Sequence, residues 1–220
     1  MILAGIDPSF SCSGISVMDT EKKIIRISDV REKIGVKNYQ NIFWTSLDVY
    51  DGVDKILNCL GEVDYIVSET PYAGGQFSSG LHALDSIIFL NLLYSHKSLQ
   101  KVFLISSRFL THVHRKNGIK KYSKSDSTKL VREGIFPILE KYDFDIEYGN
   151  KYKEKKDFKG GLNNNTAESF IFLFRLFVNL CRDDEDKREM FDEVYQVAKG
   201  LYDGDIEDIL VEREDIIERG

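Results

Sequence analysis

Apolar residues follow two rhythms along this chain: short blocks set off by turn residues early on, and longer blocks at helical spacing later. Ile2-Leu3-Ala4-Gly5-Ile6-Asp7 predicts a buried strand that ends on a carboxylate. Pro8-Ser9-Phe10-Ser11 predicts a turn, and Ser13 to Met18 a second strand. Ile24-Ile25-Arg26-Ile27 predicts a third, completing a β-meander. Asn38 to Cys59 has helical periodicity, with Ile42, Leu47, Val49, Val53, Ile56, Leu57 and Leu60 on one broad stripe. Tyr65-Ile66-Val67-Ser68-Glu69 reads as a short buried strand that again ends on an acid. Ser79 to Tyr94 reads as a helix that is apolar nearly all round, and Val102-Phe103-Leu104-Ile105 as a fifth strand.

Helices are expected over Arg108 to Lys116 and Ser125 to Tyr142, followed by a charged Gly- and Lys-rich loop from Asp143 to Gly161. Thr166 to Leu180 is a strongly apolar helix preceded by three asparagines, which are good N-cap residues. The remainder, Asp183 to Gly220, reads as one or two acidic helices. This order implies an α/β fold, a mixed five-stranded sheet flanked by helices. One domain over residues 1–182 with an acidic helical extension over 183–220 is the expected division.

Charge changes the picture more than average composition does. The net charge of −6 is uneven: residues 183–220 hold 15 acidic and 5 basic side chains, and residues 1–182 hold 25 basic against 21 acidic. Within the body, Lys97 to Arg132 carries ten Lys and Arg and a single acid, Asp126. Such a stripe suits a phosphate backbone, which makes Arg115, Lys116, Lys120, Lys121, Lys124 and Lys129 candidate nucleic-acid contacts. The longest apolar stretch, Ser86 to Tyr94, is far short of the roughly 20 residues that a membrane span needs. Met1-Ile2-Leu3 enters a strand pattern directly, so no signal peptide is expected. Cys12, Cys59 and Cys181 lie far apart without C-x-x-C spacing, which favours reduced thiols in a cytoplasmic protein over a disulfide framework or a zinc site.

The candidate chemistry lies in acids at the ends of apolar elements. Asp7 and Glu69 each end a strand, and Glu168 stands in the first turn of the last apolar helix, three residues after Asn165 and on the same face. Charge beside greasy strands is costly unless it is paired or bound to metal. Convergence of these acids would make an oxygen-rich cluster suited to Mg²⁺ or Mn²⁺. Two such ions about 3.5–4 Å apart can hold a scissile phosphate, activate water and stabilise the leaving oxygen. His112 and His114 are spaced i, i+2, which does not share a helix face, so phosphate contact or exposure is expected of them rather than paired ligation.

Several segments together resemble one family. Gly5-Ile6-Asp7-Pro8-Ser9-Phe10-Ser11-Cys12-Ser13-Gly14-Ile15-Ser16-Val17 is similar to the first motif of RuvC-type Holliday-junction resolvases, members of the RNase H-like (retroviral-integrase-like) nuclease superfamily. Ile66-Val67-Ser68-Glu69-Thr70-Pro71-Tyr72 resembles their second motif, Ser123 to Val131 the Lys-bearing segment, and Asn165-Thr166-Ala167-Glu168-Ser169-Phe170 the closing helix motif. The likeness covers about residues 1 to 180. It implies an RNase H-like fold, two divalent ions held by Asp7, Glu69 and Glu168 with Asn165 assisting, and Lys121 and Lys124 near the scissile phosphate. It also implies Tyr72, or Phe77 nearby, as a stacking residue at the junction. The implied activity is magnesium-dependent, structure-selective cleavage of four-way DNA in recombination and repair by a homodimer with paired sites, leaving 5′-phosphate and 3′-hydroxyl ends. Ser79 to Tyr94 is the implied place for part of the dimer surface.

Two departures stand out. The family's last motif usually carries two Asp, where this chain has Asn165 and Glu168, so one formal charge is missing and either Asn164 or Asn165 could assist the metal. The tail after Arg182 has no counterpart. Compact size and divergence from cellular resolvases point to a phage or other mobile element, and so to the nucleoid or host cytoplasm. Other readings are a same-fold nuclease for flaps, RNA–DNA hybrids or packaged concatemers, and a junction-binding module with a decayed site. An actin-like ATPase would need a second glycine-rich phosphate loop, and Gly74-Gly75 follows Glu69 too loosely to serve.

Overall fold

The computed structural model describes residues 1–9, 12–31, 39–57, 60–69, 78–96, 98–106, 108–149, 162–203 and 209–212. Strands β1 (Ile2–Asp7), β2 (Ser13–Asp19) and β3 (Ile24–Val30) form the antiparallel meander. Helix α1 (Tyr39–Leu57) leads to β4 (Tyr65–Glu69), which pairs parallel to β1; α2 (Ser78–Ser95) leads to β5 (Lys101–Ile105), parallel to β4. The antiparallel meander followed by two parallel strands is the RNase H-like arrangement that the motifs imply.

Among the described residues the sheet has seven strands rather than five, in the order β6-β3-β2-β1-β4-β5-β7. Part of the expected loop Asp143 to Gly161 is β6 (Asp145–Tyr148), parallel to β3 and tied to it by the Arg26–Glu147 ion pair. Four alternating residues in a charged stretch gave too short a signal to separate strand from loop. At the other edge, β7 (Ile209–Glu212) pairs antiparallel with β5, so the C-terminal segment is not wholly helical. Both added strands cover edges of the five-stranded core.

Helix α3 (Phe109–Lys116) is followed by α4 (Lys124–Lys129), a wide π turn (Leu130–Ile135) and α5 (Phe136–Lys141), where one regular helix was expected. Pro137 has no N–H to donate into the preceding turn, which gives the widening a local cause. Helix α6 (Asn164–Cys181) is the centrepiece, with 14 of its 18 residues buried, including Phe170, Phe172, Phe174 and Phe177. A 3-10 turn (Glu185–Lys187) and α7 (Arg188–Val197) close this layer, and Phe191 of α7 packs edge-on to Phe177 at 5.5 Å. Among the described residues no helix is long and apolar enough to cross a membrane.

Strand alternation divides the core in two. Leu3, Met18, Val67 and Phe103 face α6 and its neighbours, while Ala4, Val17, Ile66 and Val102 face Val49, Val53 and Leu57 of α1 and Leu84, Ile88 and Leu92 of α2. Burial on both faces explains why these strands read as near-continuous apolar runs.

The seating of α6 on β1 and β2 positions the site. A Cβ at Gly14 would lie 2.1 Å from the Asn165 carbonyl oxygen, and one at Gly5 would lie 2.1 Å from that of Ser169. Only glycine permits this approach, and the Ser16 and Ser169 hydroxyls meet across it at 2.9 Å. Gly14→Ala is accordingly expected to cost about 3 kcal/mol of stability, since backbone rather than a flexible side chain would have to give way. A urea midpoint equal to that of the unaltered protein would contradict the close seating.

Candidate active site

Ile6 of β1 is in register with Ser68 of β4, so the next residues, Asp7 and Glu69, stand side by side at the carboxyl ends of parallel strands. Asp7 also faces Gly14, over which the first turn of α6 lies, and that brings Glu168 toward both. Asp7 and Glu168 are only 7% and 5% exposed, and Glu69 is half-buried.

Their electrostatics record the proximity. Burial pushes the Asp7 carboxyl well above its ordinary range; the charges of Glu168, Glu69 and Asp85 push the same way, against Lys124. Glu69 is raised to about 7 by burial and then by Glu168, again against Lys124. Burial also raises Glu168, opposed by a Tyr122 hydrogen bond and by Lys124. The three expected acids and one expected lysine thus act on one another, although they lie far apart in sequence.

The acids are nonetheless not drawn into a finished ligand shell: among the described residues no three His, Cys, Asp or Glu side chains form a group able to hold a metal ion as they stand. The donor chemistry still fits a hard divalent cation. All donors are carboxylate oxygens in surplus negative charge, two of them on Glu side chains with several rotatable bonds, and Asp85 adds two buried oxygens that lack any hydrogen-bond partner among the described residues.

The three asparagines take separate tasks. Asn163 caps α6, accepting from the Thr166 N–H at 3.0 Å; Asn164 accepts from the Thr128 hydroxyl at 3.0 Å; the Asn165 amide donates to the Cys12 carbonyl. Asn165 therefore clamps the β1–β2 turn to α6.

A polar chain behind Glu168 was not anticipated from the sequence. Tyr122 donates its hydroxyl to Glu168 and meets Ser127 Oγ at 3.2 Å; Ser127 Oγ lies 3.1 Å from His114 Nε2, and the His114 ring stacks on Tyr122 at 4.7 Å. His114 is 1% exposed, so the expectation of an exposed or phosphate-contacting side chain is corrected: its imidazole braces Tyr122 from within, and burial lowers its pKa. His112 is the exposed one, 3.2 Å from Asp203. The available signal was the place of Tyr122, two residues before Lys124. Tyr122→Phe is expected to lower divalent-cation affinity by roughly ten-fold, because carboxylate ligands depend on the groups that orient them; unchanged affinity in a Mn²⁺ titration would remove Tyr122 from that role.

Lys124 opens α4 and reaches all three acids electrostatically. Lys120, Lys121, Lys129 and Arg115 are exposed on the same stretch. Lys116 is also exposed but lies 3.4 Å from Asp203, so part of the basic stripe is answered by an acid of the C-terminal segment. Tyr72, Phe77 and Lys97 lie outside the described residues.

No protein family matches the chain's sequence, and no curated protein is similar to it in sequence. In structure it is similar to Thermus thermophilus RuvC, with a TM-score of 0.49 and 15% identity, over 83% of this chain and 97% of that one. T. thermophilus RuvC in complex with Holliday junction substrate gives 0.47 and 10% identity, over 84% and 97%. Fowlpox virus resolvase in complex with substrate Holliday junction DNA gives 0.43 and 15% identity, over 82% and 99%.

Proposed function

We propose that this chain is a divalent-metal-dependent, structure-selective endodeoxyribonuclease that resolves four-way DNA junctions. The supporting observation is the mutual electrostatic contact of Asp7, Glu69 and Glu168, three buried or half-buried acids from separate elements, around the one lysine, Lys124. Their positions in the four resolvase-like motifs give the reading its substrate.

In this mechanism Asp7, Glu69 and Glu168 would hold the cations, with the Asn165 side-chain oxygen as a neutral fourth donor. Bound divalent ions supply a water of lowered pKa and a clamp on the scissile phosphate. Tyr122 fixes the Glu168 carboxylate through its hydrogen bond, and His114 and Ser127 fix Tyr122. Lys124, with Lys121 near it in the chain, offsets charge that develops on the phosphate as the attacking oxygen arrives. Attack in line with the 3′ oxygen leaves 5′-phosphate and 3′-hydroxyl ends.

Arg115, Lys116, Lys120 and Lys129 extend the basic face along the DNA, and Tyr72 or Phe77 would stack at the branch point. A homodimer would pair two sites on a two-fold substrate. Helix α2 is the proposed contact, where Leu90 and Tyr94 stay 46% and 73% exposed. An intracellular setting follows from a DNA substrate.

The test incubates the protein with end-labelled four-way, three-way, flap and linear duplex DNA plus Mg²⁺ or Mn²⁺ and maps the nicks. Paired nicks near the branch of the four-way substrate are expected. Preferential cutting of flaps would move the substrate, and junction binding without nicking would make the chain a binding module.

A further inference from the structure

Asp85 stands where the spacing of α2 asks for an apolar side chain. It shares a stripe with Ile88 and Leu92, three and seven residues on, and both are fully buried against the sheet, as is its neighbour Leu84. Asp85 is itself only 6% exposed, and neither of its carboxylate oxygens has a hydrogen-bond partner among the described residues. An acid in that position is costly to keep unless something positive reaches it.

Beyond burial, the charge that acts on Asp85 comes from the site already described. Glu69, at the end of β4, adds to burial in raising its pKa to about 8, and Asp85 in turn raises Asp7 at the end of β1. Asp85 is therefore close enough for its charge and theirs to act on one another across the ends of β1 and β4. On the opposite side, α6 offers Asn165, an amide whose nitrogen is committed to the Cys12 carbonyl and which carries no charge. Two divalent cations bring four positive charges, and Asp7, Glu69 and Glu168 offset only three.

We propose that Asp85 is a fourth carboxylate of the divalent-cation site, supplying from α2 the negative charge that Asn165 does not supply from α6. The inference rests on the reading of Asp7, Glu69 and Glu168 as that site. Asp85 is then held as a buried carboxylate because a bound cation is its partner.

The experiment titrates Mn²⁺ into the full chain by calorimetry without DNA and follows thermal unfolding with and without the ion. It uses the unaltered protein, Asp7→Asn, Asp85→Asn, Asp85→Ser and Asp85→Glu. Asp85→Asn and Asp85→Ser are expected to weaken Mn²⁺ binding about ten-fold or more, or to remove one of two binding events. Asp85→Glu, which keeps the charge, is expected to retain more of the binding than either. Asp85→Asn should also raise the melting temperature of the metal-free protein while shrinking the upward shift that Mn²⁺ produces. Wild-type affinity and stoichiometry in both neutral variants, with binding lost in Asp7→Asn, would overturn the role of Asp85 alone. A failure of the unaltered protein to bind Mn²⁺ would overturn the cation-site reading and this inference with it.

Discussion

Asp7→Asn is expected to lower the rate of junction cleavage by on the order of 1,000-fold while leaving junction affinity within a few-fold of the unaltered protein. The substitution keeps the size and planarity of the side chain and removes one negative charge from a place where three other acids press on it. Metal-free folding should not suffer, because a buried carboxylate that repels its neighbours is replaced by a neutral amide. Binding should persist because, in the proposed reading, affinity for a DNA backbone would come from the exposed basic stretch of α3, α4 and the segment between them, not from the acids. A gel shift and a single-turnover cleavage assay on the same preparation separate the two effects. Equal loss of binding and cleavage would mean that Asp7 serves the fold or the DNA surface instead.

The second large effect is a dependence of stability on pH and on divalent cations. Asp85 and Glu69 have folded-state pKa values raised to about 8 and about 7. An acid raised on folding binds its proton more tightly in the folded state, so it imposes no cost below its unfolded pKa and its full cost above its folded one. The metal-free protein should therefore lose stability as pH rises from about 4 to about 8, a fall in melting temperature of several degrees for a chain of this size. Asp19 and Asp203, whose pKa values are lowered by hydrogen bonds and neighbouring cations, act the other way, but only at acid pH, outside that window. Saturating Mg²⁺ or Mn²⁺ should flatten the slope, because the ion takes the place of the protons, and cation affinity should rise over the same pH range. A metal-free melting temperature that stays level or climbs from about pH 5 to about pH 8 would contradict the buried-acid cluster.

The sheet centre and the principal acids were legible in the sequence because both are matters of pattern. Near-continuous apolar strands mark β1 and β4 as central, and an acid that ends each of them is conspicuous against that background. Glu168 was legible from its place in the closing motif. Less was visible where the signal was short or non-local. The edge strand β6 has only four residues, and β7 is short and lies within an acidic tail, so neither showed a period long enough to read. The Tyr122–Ser127–His114 brace depends on a ring stack between separate segments, and i, i+2 reasoning about His112 and His114 addressed ligation, not burial. Asp85 is the one acid in a helix that is otherwise nearly all apolar, and the sequence pattern did not single it out; its burial in the folded chain does.

The account stands on a cation bound among acids that come from distant parts of the chain, and that can be seen directly. Crystals of the protein soaked in Mn²⁺ and measured at the manganese absorption edge should show anomalous density between Asp7, Glu69 and Glu168. Well-diffracting crystals at saturating Mn²⁺ with no anomalous peak between these carboxylates, or with peaks only elsewhere on the surface, would contradict it.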